Sequence, residues 1–320
     1  MKDLGINNKV IVSRDDDGMR LDNYLMKIIK GMPKSRIYRM IRKGEVRINS
    51  KRAKPRSRVH VNDTVRIPPY ALNEPKTNFS SVRKDDLRWI NNIVIFENDS
   101  FLLVNKPSGL AVHGGSGIHL GLIELLRSFR EKRNEHLELV HRLDKDTSGC
   151  LLVSKKKSKL RKLHEYFREG KVQKTYLGLM VGKFTQTVYE IDQPLKIIST
   201  PENGRLAVPD DSGKKAKTKF FLMEQYKNSA LFRIEPITGK THQIRAHAKY
   251  MKTPLAADQR YGIQPDQIVS EFGLTRLFLH AESITFPGLS STENTFSFKS
   301  KLDAKLTEVL EKLRSETHQI

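Results

Sequence analysis

Nine residues, His141-Arg142-Leu143-Asp144-Lys145-Asp146-Thr147-Ser148-Gly149, set a carboxylate in a short polar turn between two apolar runs, Leu139-Val140 and Cys150-Leu151-Leu152-Val153. Apolar runs bounding a polar segment that ends in Gly read as strand, loop, strand. A carboxylate held by rigid flanks yet open to a ligand can act as nucleophile or base on a bound substrate. Asp, Thr and Ser in a turn also hydrogen-bond their own backbone as Asx-turns and caps. The turn alone therefore leaves a structural and a chemical reading open.

Three further segments carry groups of interest. Lys174-Thr175-Tyr176-Leu177 reads as a strand, and its tyrosine suits either a core position or a platform for stacking a base. Pro236-Ile237-Thr238-Gly239-Lys240-Thr241-His242-Gln243-Ile244-Arg245-Ala246-His247 contains Gly-Lys-Thr, but a Walker loop needs Gly at position 234, where Ile234 stands. Nucleotide hydrolysis is thereby excluded. His242 and His247 are five apart, off one helix face, and no cysteine is nearby, so no metal is expected. Asn105-Lys106-Pro107-Ser108-Gly109, followed by His113-Gly114-Gly115-Ser116-Gly117, offers a glycine-rich backbone that could cradle a phosphate. Its spacing fits neither a dinucleotide fingerprint nor a P-loop.

The elements that must position these residues follow from periodicity. Ile93–Phe96 and Phe101–Asn105 predict a hairpin turned by Glu97-Asn98-Asp99-Ser100. Leu160, Leu163, His164 and Phe167 mark a helix ending at Gly170, and Leu302, Leu306, Val309, Leu310 and Leu313 mark a packing helix near the C-terminus. Strands and helices do not alternate regularly, which favours α+β over a doubly wound α/β sheet. Nearer the N-terminus, Leu21, Tyr24, Leu25, Ile28 and Ile29 form one helix face that Gly31 and Pro33 should stop. A second helix should start at Ser35, turn Ile37, Met40 and Ile41 inward, and close at Gly44. Glu45–Asn49 and Val65–Ile67 read as strands. The resulting division is an N-terminal tail (1–17), a small unit (18–68), a linker (69–88) and a large domain (89–320).

The 320 residues carry 58 Lys and Arg against 36 Asp and Glu, a formal net charge of +22. Charge of that size implies a polyanionic partner. Nucleic acid is favoured over a membrane, because no apolar run approaches the roughly 20 residues of a spanning helix. Residues 1–17 are polar and unlike a signal peptide. The one cysteine, Cys150, rules out an internal disulfide and a thiolate metal cluster. It reads as a small buried hydrophobe, and the expected compartment is the cytoplasm.

The charge is concentrated. Met19 to Pro68 holds 15 Lys and Arg against 3 Asp and Glu, +12 of the total. Arg36, Arg39 and Lys43 share one face of the second helix, a density that argues for phosphate contacts. With Arg20-Leu21-Asp22-Asn23-Tyr24-Leu25, and Lys34-Ser35 leading to Gly44, Val46 and Ile48-Asn49, this unit resembles the S4 RNA-binding domain.

The large domain resembles the RluA family of pseudouridine synthases. His141–Gly149 matches the family's H-R-L-D-x-x-T-S-G at every fixed position, and Asn105–Gly109, Lys174–Tyr176, Asp258–Gly262 and Leu277–Ala281 match its N-K-P-x-G, K-x-Y, D-x-x-Y-G and L-x-L-H-A segments. Gly239–His247 matches G-R-T-H-Q-I-R-x-H with Lys240 in place of Arg, which keeps charge and loses bidentate geometry. The order of segments is most similar to the RluC branch, which acts on 23S (large-subunit) ribosomal RNA. The resemblance implies a catalytic domain on a mixed, largely antiparallel sheet with flanking helices, beside a small α/β S4 domain. It also implies isomerisation of uridine without cofactor, metal or nucleotide, by a chain expected to be monomeric.

By that resemblance Asp144 is the catalytic carboxylate, acting as nucleophile or through a glycal intermediate, and Tyr176 lies against the target base. Arg245 is expected to pair with Asp144 and keep it charged, since burial alone would raise its pKa. Arg142 and His141 could fill the space left by a flipped uridine. Lys106, His113 and Lys240, together with Arg36, Arg39 and Lys43 of the S4 unit, are expected at the RNA. A basic stretch from Lys155 to Lys162 should lie on its path.

Overall fold

The computed structural model describes residues 8–29, 32, 34–72, 87–114, 120–130, 135–200, 204–262 and 266–317. The chain divides between residues 83 and 84 into two compact units.

The first unit runs β1 (Lys9–Ile11), α1 (Leu21–Ile28), α2 (Lys34–Lys43), β2 (Arg47–Ile48), β3 (Lys51–Arg52), β4 (Thr64–Arg66) and α3 (Pro69–Leu72). Its sheet has the order β1-β4-β2-β3, with antiparallel pairings. Leu21, Tyr24 and Leu25 of α1 and Ile37, Met40 and Ile41 of α2 are buried with Val46, Val65 and Ile67, as their spacing predicts. Gly44 ends α2 at φ +73, in the left-handed region where a glycine costs least. Gly31 and Pro33, expected to stop α1, lie outside the described residues. Asp22 is buried and kept ionised by Arg20 (2.6 Å) and the Tyr38 hydroxyl (2.5 Å).

Two boundaries differ from expectation. Lys9–Ile11, taken as tail, is an edge strand on β4, with Val10 half-buried and Val12 just after it buried in the core, while Lys9 and Ile11 face outward. Pro69–Leu72, taken as linker, is a helical turn that buries Ala71 in the same core and sets the Tyr70 hydroxyl on Glu45. Of the linker, residues 73–86 lie outside the described residues.

The second unit continues α4 (Trp89–Asn92), β5 (Val94–Glu97), β6 (Phe101–Lys106), α5 (Leu122–Phe129), β7 (Glu138–Leu139), β8 (Ser148–Ser154), α6 (Lys157–Arg168), β9 (Gln173–Val181), β10 (Val188–Asp192), β11 (Leu195–Thr200), β12 (Gly204–Pro209), β13 (Lys217–Gln225), β14 (Ser229–Pro236), α7 (Gln243–Tyr250), α8 (Gln267–Phe272), β15 (Leu279–Phe286), β16 (Phe296–Lys299) and α9 (Ala304–Thr317). Ten strands form one sheet, ordered β10-β13-β14-β9-β15-β8-β6-β5, with β16 on β15 and β7 on β8. Pairings are antiparallel except β15 with β8, which meet in parallel only at His280–Ser148 and Ala281–Gly149. The fold is α+β, as the irregular order of elements predicts. Strands β11 and β12 form a separate hairpin.

Gly149 is obligatory at that junction. Its φ is +111, and a Cβ would sit 2.2 Å from the Ala281 carbonyl oxygen. All seven residues of β8 are buried, Cys150 included, and burial pushes its thiol up to about 12. One sheet face packs Phe101, Leu103, Leu152 and Phe286 against Leu163 and Tyr166 of α6, with Phe96, Phe296 and Phe298 around them. Phe101 meets Phe286 and Phe296 edge-on at 5.4 and 5.0 Å, the favoured arrangement for aromatic quadrupoles. Leu306, Val309, Leu310 and Leu313 of α9 are buried against Leu179 and Phe278, at about 1.5–3 kcal/mol per side chain. Ile244 and Ala248 of α7 pack on Phe232 and Ile234. Among the described residues, no helix is long and apolar enough to cross a membrane.

Candidate active site

Residues 140–147 bridge β7 and β8, so the Asp144 loop hangs between two paired strands, as the flanking apolar runs predict. Inside the loop the Thr147 amide donates to the Asp144 carbonyl (3.2 Å). Outside it, the segment after β6 grips two consecutive carbonyls. Lys106 Nζ donates to Lys145 O (3.0 Å), the Gly109 amide donates to the same oxygen (2.9 Å), and Ser108 Oγ donates to Asp146 O (2.7 Å). Lys106 is fully buried and also donates to Pro107 O (2.9 Å) and Leu110 O (2.8 Å). Three ammonium protons thus meet three carbonyls. Burial draws its pKa down to about 7, against the pull of Asp146 and Asp144.

Lys106 is therefore a brace behind the loop and not an RNA contact, a correction that follows from its burial. Of the glycines in the expected phosphate cradle, the two described, Gly109 and Gly114, have their amides engaged. The Gly114 amide is taken by the Glu124 carboxylate (3.0 Å), which also caps α5 at Gly121. Gly115–Gly117 lie outside the described residues. His113 is exposed and is not part of the cleft wall.

The Asp144 carboxylate faces a cleft of about 410 Å³ whose walls are the 140–147 loop, Lys174 and Tyr176 of β9, and residues 236–245. Tyr176 stands on β9 between Ile234 of β14 and Ala281 of β15, so pairing on both sides fixes its place in the sheet. Burial raises its phenol's pKa and the Asp144 charge adds to the shift, keeping it a neutral hydroxyl. Arg142 is exposed and Lys240 half-exposed at the cleft wall.

His141 lines the cleft but is engaged in holding it. Its Nε2 accepts the Leu152 amide (3.0 Å), its ring stacks on Phe167 at 5.1 Å, and burial assisted by the Lys174 charge draws its pKa down to about 3. A neutral imidazole with its acceptor occupied is a positioned wall, so the expectation that it fills the gap left by a flipped base is corrected.

Arg245 does not pair with Asp144. Its Nε and Nη2 each donate to Asp258, both at 2.7 Å, and both side chains are buried. Asp258 also accepts the Arg260 and Tyr261 amides at 3.0 Å. A buried guanidinium needs a partner that satisfies its fork, and the Asp258 turn supplies one. Asp144 acts on Arg245 only through charge, helping to raise its pKa.

The side chain that does face Asp144 is His242, whose Nε2 is 3.9 Å from Asp144 Oδ2. Weighing it only as a metal ligand missed it. The available sequence signal was its place just ahead of α7, where a side chain can turn back toward the cleft; its φ is +53. His247, the other histidine of the segment, is buried between Thr218 (2.8 Å) and the Gln193 carbonyl (3.0 Å).

The basic stretch after β8 divides in use. Lys155 is spent on Glu97 (2.7 Å) and Glu135 (3.1 Å), and Lys159 on the Leu289 carbonyl (3.1 Å), while Lys156, Lys157 and Arg161 are exposed. In the first unit Arg36, Arg39 and Lys43 are exposed along α2.

Residues 100–250 match the RNA pseudouridylate synthase family and residues 19–65 match the S4 domain. Over 95% of its length the chain is 44% identical to the ribosomal large subunit pseudouridine synthase C of Haemophilus influenzae, covering 94% of that protein. With the protein of the same description from Escherichia coli K12 it shares 43% identity over 96% of both chains. Among solved structures, human RNA pseudouridylate synthase domain containing 4 superposes with a TM-score of 0.60, at 24% identity over 72% of this chain and 96% of that one, a likeness of fold. The chain belongs to the RNA pseudouridine synthases, with an S4 domain ahead of the catalytic unit.

Proposed function

We propose that the protein converts specific uridines of 23S ribosomal RNA to pseudouridine, with Asp144 as the catalytic carboxylate. The observation that carries this reading is the Asp144 carboxylate facing a cleft walled by Tyr176 and Lys240. The large-subunit target is supported by relatives 42–44% identical over nearly the whole chain, each described as a ribosomal large subunit pseudouridine synthase C.

The reaction breaks N1–C1′, turns the uracil over and joins C5 to C1′. N1 takes up a proton and C5 releases one, so nothing is oxidised and no group is imported. An ionised carboxylate suffices, either by attacking the nucleoside or by acting as base on the ribose. Tyr176 holds the freed uracil by stacking, an interaction worth about 1–3 kcal/mol. The uridine enters flipped out of its helix. Arg142, exposed beside Asp144, takes the space the base leaves, and Lys240 neutralises a phosphate at the rim. Arg36, Arg39 and Lys43 of the S4 domain bind RNA backbone. Action as a monomer belongs to this reading, as does work in the cytoplasm, where ribosomal RNA is met.

Pseudouridine mapping of cellular RNA from wild type, a gene deletion and Asp144→Ala tests this. Loss of the same large-subunit uridines in both altered strains is expected. Loss only in the deletion would overturn the role of Asp144, and three identical maps would overturn the activity. Asp146→Asn is the internal control. Only the main-chain carbonyl of Asp146 is held by Ser108, and its side chain is not part of the cleft wall, so activity should persist.

A further inference from the structure

Behind the cleft lies a chain of hydrogen bonds whose direction can be worked out. The Ala207 amide donates to the Tyr261 hydroxyl oxygen at 2.7 Å. That oxygen keeps its own proton, and the neighbour placed to accept it is His242 Nδ1, at 2.9 Å. An imidazole that accepts at Nδ1 carries its proton on Nε2. Nε2 is the nitrogen that faces Asp144 Oδ2, at 3.9 Å.

The Tyr261 ring is itself fixed. It lies under the Arg245 guanidinium at 5.0 Å and meets the His242 ring edge-on at 5.6 Å. The charged groups acting on His242 are Asp144 and Asp258, which favour a second proton, and Arg245 and Arg260, which oppose it. Burial is the largest influence and keeps the ring neutral.

We propose that His242 is a positioning residue for Asp144: through Tyr261 it is locked with its proton on Nε2, and that N–H holds Oδ2 and leaves Oδ1 of the carboxylate to the nucleoside. The gap of 3.9 Å is about 1 Å beyond a hydrogen bond, and such contacts in an empty site commonly close when substrate excludes water. The inference rests on the reading of Asp144 as the catalytic carboxylate.

Single-turnover pseudouridine formation by the full chain, on an in vitro transcript of its own 23S ribosomal RNA, tests it. His242→Ala should slow the chemical step by about 30-fold, the scale of one donor lost from a charged group, with RNA affinity unchanged within about two-fold. It should also move the acid limb of the rate profile to higher pH, because a carboxylate without its donor ionises less readily. His242→Gln, whose amide nitrogen can stand where Nε2 stood, should recover most of the rate and return the limb. Tyr261→Phe, which frees the imidazole to carry its proton on either nitrogen, should give an intermediate loss.

A wild-type rate in His242→Ala would overturn the inference. So would equal losses in the Ala and Gln variants with an unmoved acid limb, once thermal melting shows both folded. Asp144→Asn is run in parallel. If it stays active, the reading of Asp144 and this inference both fail; if it is inactive while His242→Ala is unaffected, the inference alone fails.

Discussion

The buried ammonium of Lys106 donates to the main-chain carbonyl of Lys145, the residue directly after Asp144, at 3.0 Å. Two more carbonyls, of Pro107 and Leu110, share the same nitrogen. One side chain at the end of β6 thus ties the Asp144 loop to the strand beside β8 and to the turn that follows that strand.

Lys106→Met keeps the volume of the stem and removes three donors. The Pro107 and Leu110 carbonyls then lose this donor while Lys145 O keeps the Gly109 amide, at about 1–3 kcal/mol for each carbonyl left unsatisfied and less where water enters. Thermal melting should fall by several degrees. Turnover should fall further than RNA affinity, because Asp144 loses its register while the surface that meets RNA is untouched. A variant with unchanged melting and turnover would refute the brace.

Arg245 and Asp258 form the buried pair of the cleft, joined by two bonds of 2.7 Å. Arg245→Ala leaves a buried carboxylate uncompensated, a loss on the order of 3–5 kcal/mol. Activity should drop with it, since the Tyr261 ring then loses the cation above it. In a double-mutant cycle, Arg245→Ala with Asp258→Ala should be less destabilising than the sum of the two single variants. Additive losses by denaturant unfolding would show that the pair is not coupled.

Glu97 contributes to the acid stability of the second unit. Arg130 and then Lys155 hold its pKa down at about 2, against burial. A carboxylate depressed in the folded state contributes stability that is fully present above its unfolded value near 4.5 and is lost as pH falls toward 2. The shift corresponds to on the order of 3 kcal/mol. Glu97→Gln should therefore cost stability at pH 7, and the difference from wild type should shrink between pH 4.5 and 2. A difference that stays constant across that window would contradict the pairing.

The S4 face should act through salt. Replacing Arg36, Arg39 and Lys43 together with Ala should weaken RNA binding and lower the slope of log K against log salt by about 2–3. Binding titrations at several salt concentrations read this directly. An unchanged slope would mean that these side chains do not meet phosphate.

Much of the architecture was legible in the chain. Apolar spacing marked α1, α2, α6 and α9, and the paired apolar runs marked the strands that carry the Asp144 loop, because burial of a face is a local pattern that needs no knowledge of its partner. The short edge strand Lys9–Ile11 was not legible, since three residues offer too little alternation to stand out from a polar tail. The charge of +12 within fifty residues was equally plain, being a property of composition.

What each polar group does depended on neighbours far along the chain. Lys106 and Lys145 are 39 positions apart, and Arg245 and Asp258 are 13 apart. Whether a lysine braces a loop or meets RNA is decided by whether the fold buries it, and no spacing rule encodes that. The same holds for His141, whose acceptor is taken by the strand it precedes, and for His242, which reaches Asp144 because Tyr261 and the turn into α7 aim it there. Residue types and their order determined the chemistry this protein can perform. Burial and long-range hydrogen bonds, which exist only once the sheet is assembled, decided which side chains face the substrate and which hold them in place.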